Sequence, residues 1–397
     1  MSDLQSLKTI LNEKEIGKTS GKRGLADELG FILGLFSAWK IALFVQTFLA
    51  LTRFPLGKID PGFYNLVVGI WAKTWDAGNY LSITKVGYTE QTYAFFPLLP
   101  LLTRLVTEVT RLDTAVIGVV IVNLAIFFAL FVFYRLLKLD FDELTSRRAL
   151  FFFLLFPTAF FLQAFYSESL FLLLTLSAFY LTRKGQWFIA VICAGLASLS
   201  RFLGVFLLFP LLAELISQNG LLITLREKKR ELGSLFLIPL LFSTYLVFLL
   251  ATTSNPYKFI QVQKDWDRIG SPGQALSPII VIQQNWATLL SQNNFSGGSI
   301  INFLDLIFLI SALILLILAI KQGVRLSYLI YAGLCLFLPL VSGSLVSMMR
   351  FLLIIFPLFI VLANLAQRSF WNYLIMLVFA FLQAQLVISF IFGLWVA

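Results

Sequence analysis

A lone carboxylate set among aromatic and proline residues is the place where this sequence first offers chemistry. The stretch reads Trp75-Asp76, Tyr80, Gly87-Tyr88, then Ala94-Phe95-Phe96-Pro97-Leu98-Leu99-Pro100, with Lys85 and Arg104 beside it. An acid within reach of a substrate hydroxyl can take its proton as a general base. The chain has no histidine, which removes the commonest general base and the commonest zinc ligand and leaves carboxylates for that work. Cys193 and Cys335 both fall inside apolar runs, so neither a disulfide framework nor a thiolate metal site is expected.

The elements that must position such residues are membrane helices. The 397 residues are 59% hydrophobic and 13% charged, against about 45–50% and about 25% in soluble domains, and the mean hydropathy is +0.90. Runs of the roughly 20 apolar residues that cross about 30 Å of hydrocarbon recur throughout, without the short alternating segments of a barrel. The expected fold class is an all-α polytopic membrane protein with about eleven spans. They lie near 30–53, 115–137, 149–165, 167–182, 187–200, 202–218, 233–252, 301–320, 326–344, 349–366 and 371–396. Segments 62–73 and 93–109 read as interfacial or partly re-entrant, and 187–200 with 202–218 as a tight pair around Arg201. Residues 1–28 are a polar, charged cytoplasmic lead-in. Residues 29–397 form one transmembrane domain with outer loops 54–114 and 253–300, and no internal repeat divides it. Most of the 30 Lys and Arg residues sit in short connections that become cytoplasmic with the N-terminus inside. That orientation puts the C-terminus outside and lets Lys40, within the first span, snorkel inward. The net charge of +10 then belongs to cytoplasmic loops, and no nucleic-acid partner is expected.

Under this topology the remaining ionisable residues meet at the outer face. Asp60 and Asp76 lie in the first outer loop, and Glu168, in Tyr166-Ser167-Glu168-Ser169, lies at the outer end of its span. Arg201 and Arg350 are at outer span junctions, and the second large loop carries Gln263, Asp265, Trp266, Asp267 and Arg268. Charges near a span are costly, so they are rarely idle. Each also has a plainer role open to it. Asp76 can cap a helix starting at Ala77, Glu168 can cap its span or pair with an arginine, and the arginines can anchor the interface. Phe95-Phe96-Pro97 can seat an interfacial helix, the Asp265–Arg268 cluster can be a solvated loop, and Asp305, in the first turn of its span, can complement a helix dipole.

These segments together resemble the PIG-V family, the GPI mannosyltransferase II type and its bacterial relatives, within the GT-C glycosyltransferases. The matching residues are Trp75-Asp76, Tyr80-Leu81-Ser82-Ile83, Gly87-Tyr88, Ala94-Phe95-Phe96-Pro97 with Pro100, Asn123-Leu124, Phe156-Pro157 and Tyr166-Ser167-Glu168-Ser169-Leu170-Phe171. They continue with Ser200-Arg201 and Gly204, Gln263, Trp266 and Arg268, Arg350 with Phe356-Pro357, and Trp395. Their order holds from about residue 36 to the end. The short hydrophilic loops and the missing late insertions of eukaryotic members point to a prokaryotic relative, and count against a GPI precursor as acceptor.

The resemblance implies a GT-C-type fold and an inverting transferase, a mannosyltransferase, acting at the extracytoplasmic membrane face. It would bind a polyprenyl- or dolichyl-phosphate sugar between its spans, and an acceptor hydroxyl on a glycolipid, glycan or protein would displace the lipid phosphate. Asp76 matches the family's outer-loop acid and is the expected base, with Asp60 and Glu168 in reserve. Arg201 and Arg350 are assigned to the donor phosphate, which arginine binds by paired hydrogen bonds, with Lys85 and Arg104 as further candidates. With two arginines there, no metal or other cofactor is called for. Trp75, Tyr80, Tyr88, Tyr166 and Trp266 would line the sugar site. The membrane would be the plasma membrane of a prokaryote or the endoplasmic reticulum of a eukaryote. The alternatives are a GT-C enzyme moving another sugar, a lipid or solute transporter, for which charges near mid-membrane would be expected, and a non-catalytic assembly subunit.

Overall fold

The computed structural model describes residues 2–53, 60, 62–263, 282–283, 286, 297–341 and 345–396. No strand occurs among them. Among the described residues six helices are long and apolar enough to cross a membrane: Gly24–Arg53, Thr114–Leu137, Phe202–Asn219, Lys229–Thr253, Ile300–Lys321 and Ser369–Ile391. Shorter apolar helices, Trp187–Ser200, Leu326–Leu340 and Phe356–Leu365, pack among them. This is an all-α, multi-pass membrane protein.

The first helix, α1 (Ser2–Arg53), runs without a break through the polar lead-in and the first span. A π-helical turn (Asn65–Gly69) leads into the short α2 (Ile70–Lys73), then α3 (Asp76–Val86) and α4 (Leu98–Thr110). Of these, α2 packs into the protein, with Trp71 and Ala72 fully buried, while α4 leaves Leu101, Leu105 and Val109 exposed. The core of the bundle is α5 (Thr114–Leu137), α6 (Glu143–Leu155), α7 (Glu168–Arg183) and α8 (Trp187–Ser200). Asp113 and Asp142 start α5 and α6 by accepting from the backbone N–H of Val116 and Thr145, the favoured role of Asp at an N-cap. The second half comprises α9 (Leu208–Asn219), α10 (Leu221–Glu227), α11 (Lys229–Ser234), α12 (Leu237–Thr253) and α13 (Lys258–Gln261). It closes with α14 (Gly297–Lys321), α15 (Leu326–Val341), α16 (Met348–Leu352), α17 (Phe356–Leu365) and α18 (Ser369–Ile391).

Three sequence expectations change. The span read at 149–165 is not one helix: α6 stops at Leu155, and Phe156 leaves the helical region (φ −54, ψ 139), because a residue before proline is pushed out of it. Residues 156–167 then cross the protein interior as irregular chain and short 3-10 turn, every one of them buried. Irregular backbone at membrane depth is tolerated only inside protein, with its polar groups satisfied. Gln383 of α18 does part of this, donating at 2.9 Å to both Leu154 O and Phe156 O. Likewise the span read at 349–366 breaks between α16 and α17, with Pro357 at the start of α17. Lys40 does not snorkel: its Nζ donates into the bundle, at 2.7 Å to both Asn123 Oδ1 and Gln163 Oε1.

The loops read as cytoplasmic collect at one end. Glu28 pairs with Arg135 and Lys138 at 3.0 Å, Arg183 with Asp140, and buried Glu214 with Arg325 at 3.1 Å. Glu168 begins α7 and Arg183 ends it, so the residues around Glu168 occupy the other end.

Candidate active site

The loop carrying Asp76 is held in a backbone conformation that costs free energy. Trp75 has φ 54 and ψ −127, a region disfavoured for any side chain with a Cβ and persisting only when surroundings enforce it. Two bonds from the buried 156–167 segment enforce it here: Phe165 N–H donates to Trp71 O at 2.8 Å, and the Tyr166 hydroxyl donates to Thr74 O at 3.2 Å. The turn starts α3 with Asp76 as its first residue rather than as the cap, and turns the Asp76 carboxylate toward Arg350.

Arg350 enters from the far end of the chain, on α16. Its Nη1 donates to Asp76 Oδ2 at 2.6 Å and its Nε to Glu168 Oε1 at 2.6 Å. The same Glu168 oxygen forms an ion pair with Arg201 Nη1 at 2.7 Å. Asp76, Arg350, Glu168 and Arg201 therefore form an unbroken chain of alternating charge with zero sum. Glu168 is completely buried and its side chain bridges both arginines, while 19% of Asp76 and 14% of Arg201 remain exposed. Glu168 Oε2 accepts no hydrogen bond among the described residues. The Arg350 guanidinium lies 4.5 Å from the centre of the Tyr166 ring and 5.1 Å from that of Phe161, favourable cation–π placements. Arg201 is extended (φ −153, ψ 147) between α8 and a 3-10 turn, Phe202–Leu207. Gly204 makes that turn possible, since a Cβ there would stand 2.3 Å from the Ala197 carbonyl carbon and Ser198 N.

Two residues that position Arg350 were not singled out for this from the sequence. Asp305 lies well inside α14, not in its first turn as expected, and its buried Oδ1 accepts from Met349 N–H at 2.8 Å. It complements the dipole of α16 rather than its own helix. The Thr158 hydroxyl donates to Met349 O at 3.1 Å. Only an acid at helical depth and a threonine following Phe156-Pro157 hinted at these contacts, because both depend on a residue pairing far along the chain.

The other expected site residues divide. Trp75 meets Trp395 edge to face, centroids 5.2 Å apart, beside an open cleft of about 380 Å³ lined by Thr74, Trp75, Ile391, Phe392 and Gly393. Tyr80 is buried against Phe95, and burial pushes its phenol up to about 12. Tyr166 underlies Arg350 rather than offering its hydroxyl to a ligand. Tyr88 belongs elsewhere: it stacks on Tyr93, and its hydroxyl donates to Phe95 O at 2.9 Å. With Phe96, Tyr245 and Phe259 it packs the first loop onto α12. Arg104 pairs with Glu108 on an exposed face of α4, Lys85 is exposed at the end of α3, and Asp60 accepts from Gly62 N–H in an exposed turn. None of these three joins the charge chain. Trp266, with Asp265, Asp267 and Arg268, lies outside the described residues. Among the described residues no three His, Cys, Asp or Glu side chains gather as metal ligands.

Residues 39–272, more than half of the chain, match the family model described as Mannosyltransferase (PIG-V). The chain belongs to the PIG-V mannosyltransferase family. No curated protein matches it. The matched region contains Asp76, Glu168 and Arg201, while Arg350 lies beyond it and joins through the fold. Membership makes this PIG-V protein a glycosyltransferase of the membrane, and the charge chain is its candidate catalytic centre.

Proposed function

We propose that this PIG-V protein is an inverting mannosyltransferase that uses a polyprenyl- or dolichyl-phosphate sugar and acts at the extracytoplasmic membrane face. The observation that carries the reading is the fork of Arg350, one guanidinium shared by the acid fit to be a base and the acid that holds the second arginine. In the reaction, Asp76 accepts the proton of the acceptor hydroxyl as its oxygen attacks the anomeric carbon. The bond from that carbon to the phosphate oxygen breaks, its electron pair leaves with the phosphate, and the configuration inverts. The lipid phosphate passes from one negative charge toward two while Asp76 passes from one to none, so the charge of the site is constant. Protonated Asp76 has a weaker claim on Arg350 Nη1, which is released toward the leaving phosphate as its charge grows. Stabilising charge that develops in the transition state is usually the largest catalytic term.

Arg201 supports the same role. Among the described residues it uses only Nη1, for Glu168 and Ser167, which leaves the rest of its fork for phosphate oxygens. The cleft beside Trp75 and Trp395 is the route by which an acceptor hydroxyl, on a glycolipid, glycan or protein, reaches Asp76. The gathering of basic loops at the opposite end supports an N-terminus inside and a site outside, with residues 1–28 cytoplasmic and the remainder one catalytic domain.

The test is transfer from polyprenyl-phosphate mannose to acceptors in a native lipid extract by purified protein in nanodiscs. The reading expects release of polyprenyl phosphate equal to product formed, with product configuration opposite to the donor's. Retained configuration would overturn the single-displacement mechanism. Activity with a different lipid-phosphate sugar alone would keep the mechanism and replace mannose.

A further inference from the structure

The irregular 156–167 segment delivers Tyr166, Ser167 and Glu168 to the charge chain, and one of its tethers comes from an ionisable side chain that the transfer step does not use. Lys40 lies within the α1 span and Asn123 within the α5 span. Lys40 Nζ donates to Asn123 Oδ1 and to Gln163 Oε1, both at 2.7 Å. Asn123 Nδ2 in turn donates to Val119 O at 2.7 Å and to Gln163 O at 3.5 Å. Gln163 is 4% exposed and stands in the same run of non-helical chain as Tyr166.

The arrangement has two unusual properties. A lysine amine at this depth is expensive to keep charged, yet among the described residues Lys40 forms no ion pair and rests on two neutral amides. An anchoring lysine would instead extend along its stem to the interface. Moreover, only 17% of the α1 span is buried, so α1 lies along the outside of the bundle, and its inward polar commitment goes past α5 to the segment that bears the site. Holding α1 to α5 needs only the bond to Asn123. The bond to Gln163 serves the segment, whose next anchor is Phe165 N–H on Trp71 O, beneath the strained Trp75 turn.

We propose that Lys40, acting through Asn123 and Gln163, is a positioning residue that sets the register of the 156–167 segment and thereby the seat of Tyr166 and Glu168 under Arg350. Its kinetic consequence rests on the transferase reading, while its structural consequence does not. The experiment compares wild type, Lys40→Met, Gln163→Leu and the double variant as full-length proteins in nanodiscs. Two readouts are taken: turnover of polyprenyl-phosphate mannose and amide hydrogen exchange over 156–168. Small displacements of catalytic groups cost up to about a hundredfold in rate. Each single variant is expected to lower kcat about tenfold or more with little change in donor KM, and to speed exchange over 156–168 but not in α14. The double variant should be no worse than the more impaired single, because both cut one path. If Lys40→Met does not fold, Gln163→Leu, which removes no charge, decides alone. Unchanged kcat in a folded single variant, or losses that multiply in the double, would overturn the proposal. Absence of transfer by wild type would overturn the transferase reading alone, and exchange over 156–168 would still decide the tether.

Discussion

Replacing Arg350 by lysine separates charge from geometry at the centre of the site. Arg350 donates through Nε to Glu168 and through Nη1 to Asp76, both at 2.6 Å, over the face of Tyr166 at 4.5 Å. A lysine keeps the positive charge but presents one compact ammonium, which cannot span two carboxylates as a planar fork does. Glu168 keeps Arg201 at 2.7 Å, so the buried carboxylate stays compensated and the protein should fold. One charge-assisted hydrogen bond is lost, a group of interactions worth about 1.5–3 kcal/mol each. At about 1.36 kcal/mol per factor of ten, kcat/KM for the lipid-phosphate sugar should fall about tenfold to about 150-fold, carried by kcat, because the fork turns to the phosphate only as its charge grows. Arg350→Met is the harsher comparison, since removing one partner of a buried ion pair costs about 3–5 kcal/mol of stability. The assay is initial-rate release of polyprenyl phosphate over a range of donor concentrations, on protein shown to be monodisperse. Wild-type kcat and kcat/KM in Arg350→Lys would refute the idea that the fork serves the leaving phosphate.

Asp305→Ala removes the acceptor for Met349 N–H and should lower transfer about tenfold in folded protein, with the more conservative Asp305→Asn closer to wild type; equal activity of all three would deny Asp305 a positioning role. Gly204→Ala places a methyl against the backbone of Ala197 and Ser198, and overpacking of about 1–3 kcal/mol should appear as a lower thermal midpoint together with reduced activity through Arg201. Tyr245→Phe removes a hydroxyl that donates to Tyr93 O at 2.7 Å and should cost about 1 kcal/mol of stability with unchanged turnover; a kinetic defect would return the Tyr88 cluster to the sugar site.

The helical membrane class was legible because long apolar runs leave a polypeptide few other choices. Asp76, Glu168, Arg201 and Arg350 were all nameable as ionisable residues at one face, since charge at a span end is conspicuous against 59% hydrophobic composition. Which of them touch was not legible. The pairing of Asp76 with Arg350 joins the first loop to the last quarter of the chain, and only the packed bundle sets that distance. The break at Phe156-Pro157 is written in the proline, but the apolar residues after it imitate a span, so 149–165 reads as continuous. Lys40 misled for a related reason: a lysine side chain is long enough either to snorkel or to turn inward, and the amides that decide the matter come from two other elements. Tyr88 and Arg104 share the motif-rich loop with Asp76, yet α3 and α4 direct them to an aromatic seam and to an exposed face.

The most direct test of the central claim compares wild type with Asp76→Asn in a single-turnover assay with polyprenyl-phosphate mannose and a native lipid extract. Asparagine keeps the size and hydrogen-bonding reach of Asp76 near Arg350 but cannot accept the acceptor's proton. General-base catalysis contributes about 10²–10⁴-fold, so the chemical step should slow by about that factor in a variant that still binds donor. Transfer by Asp76→Asn at the wild-type rate would contradict the account and move the base to another residue.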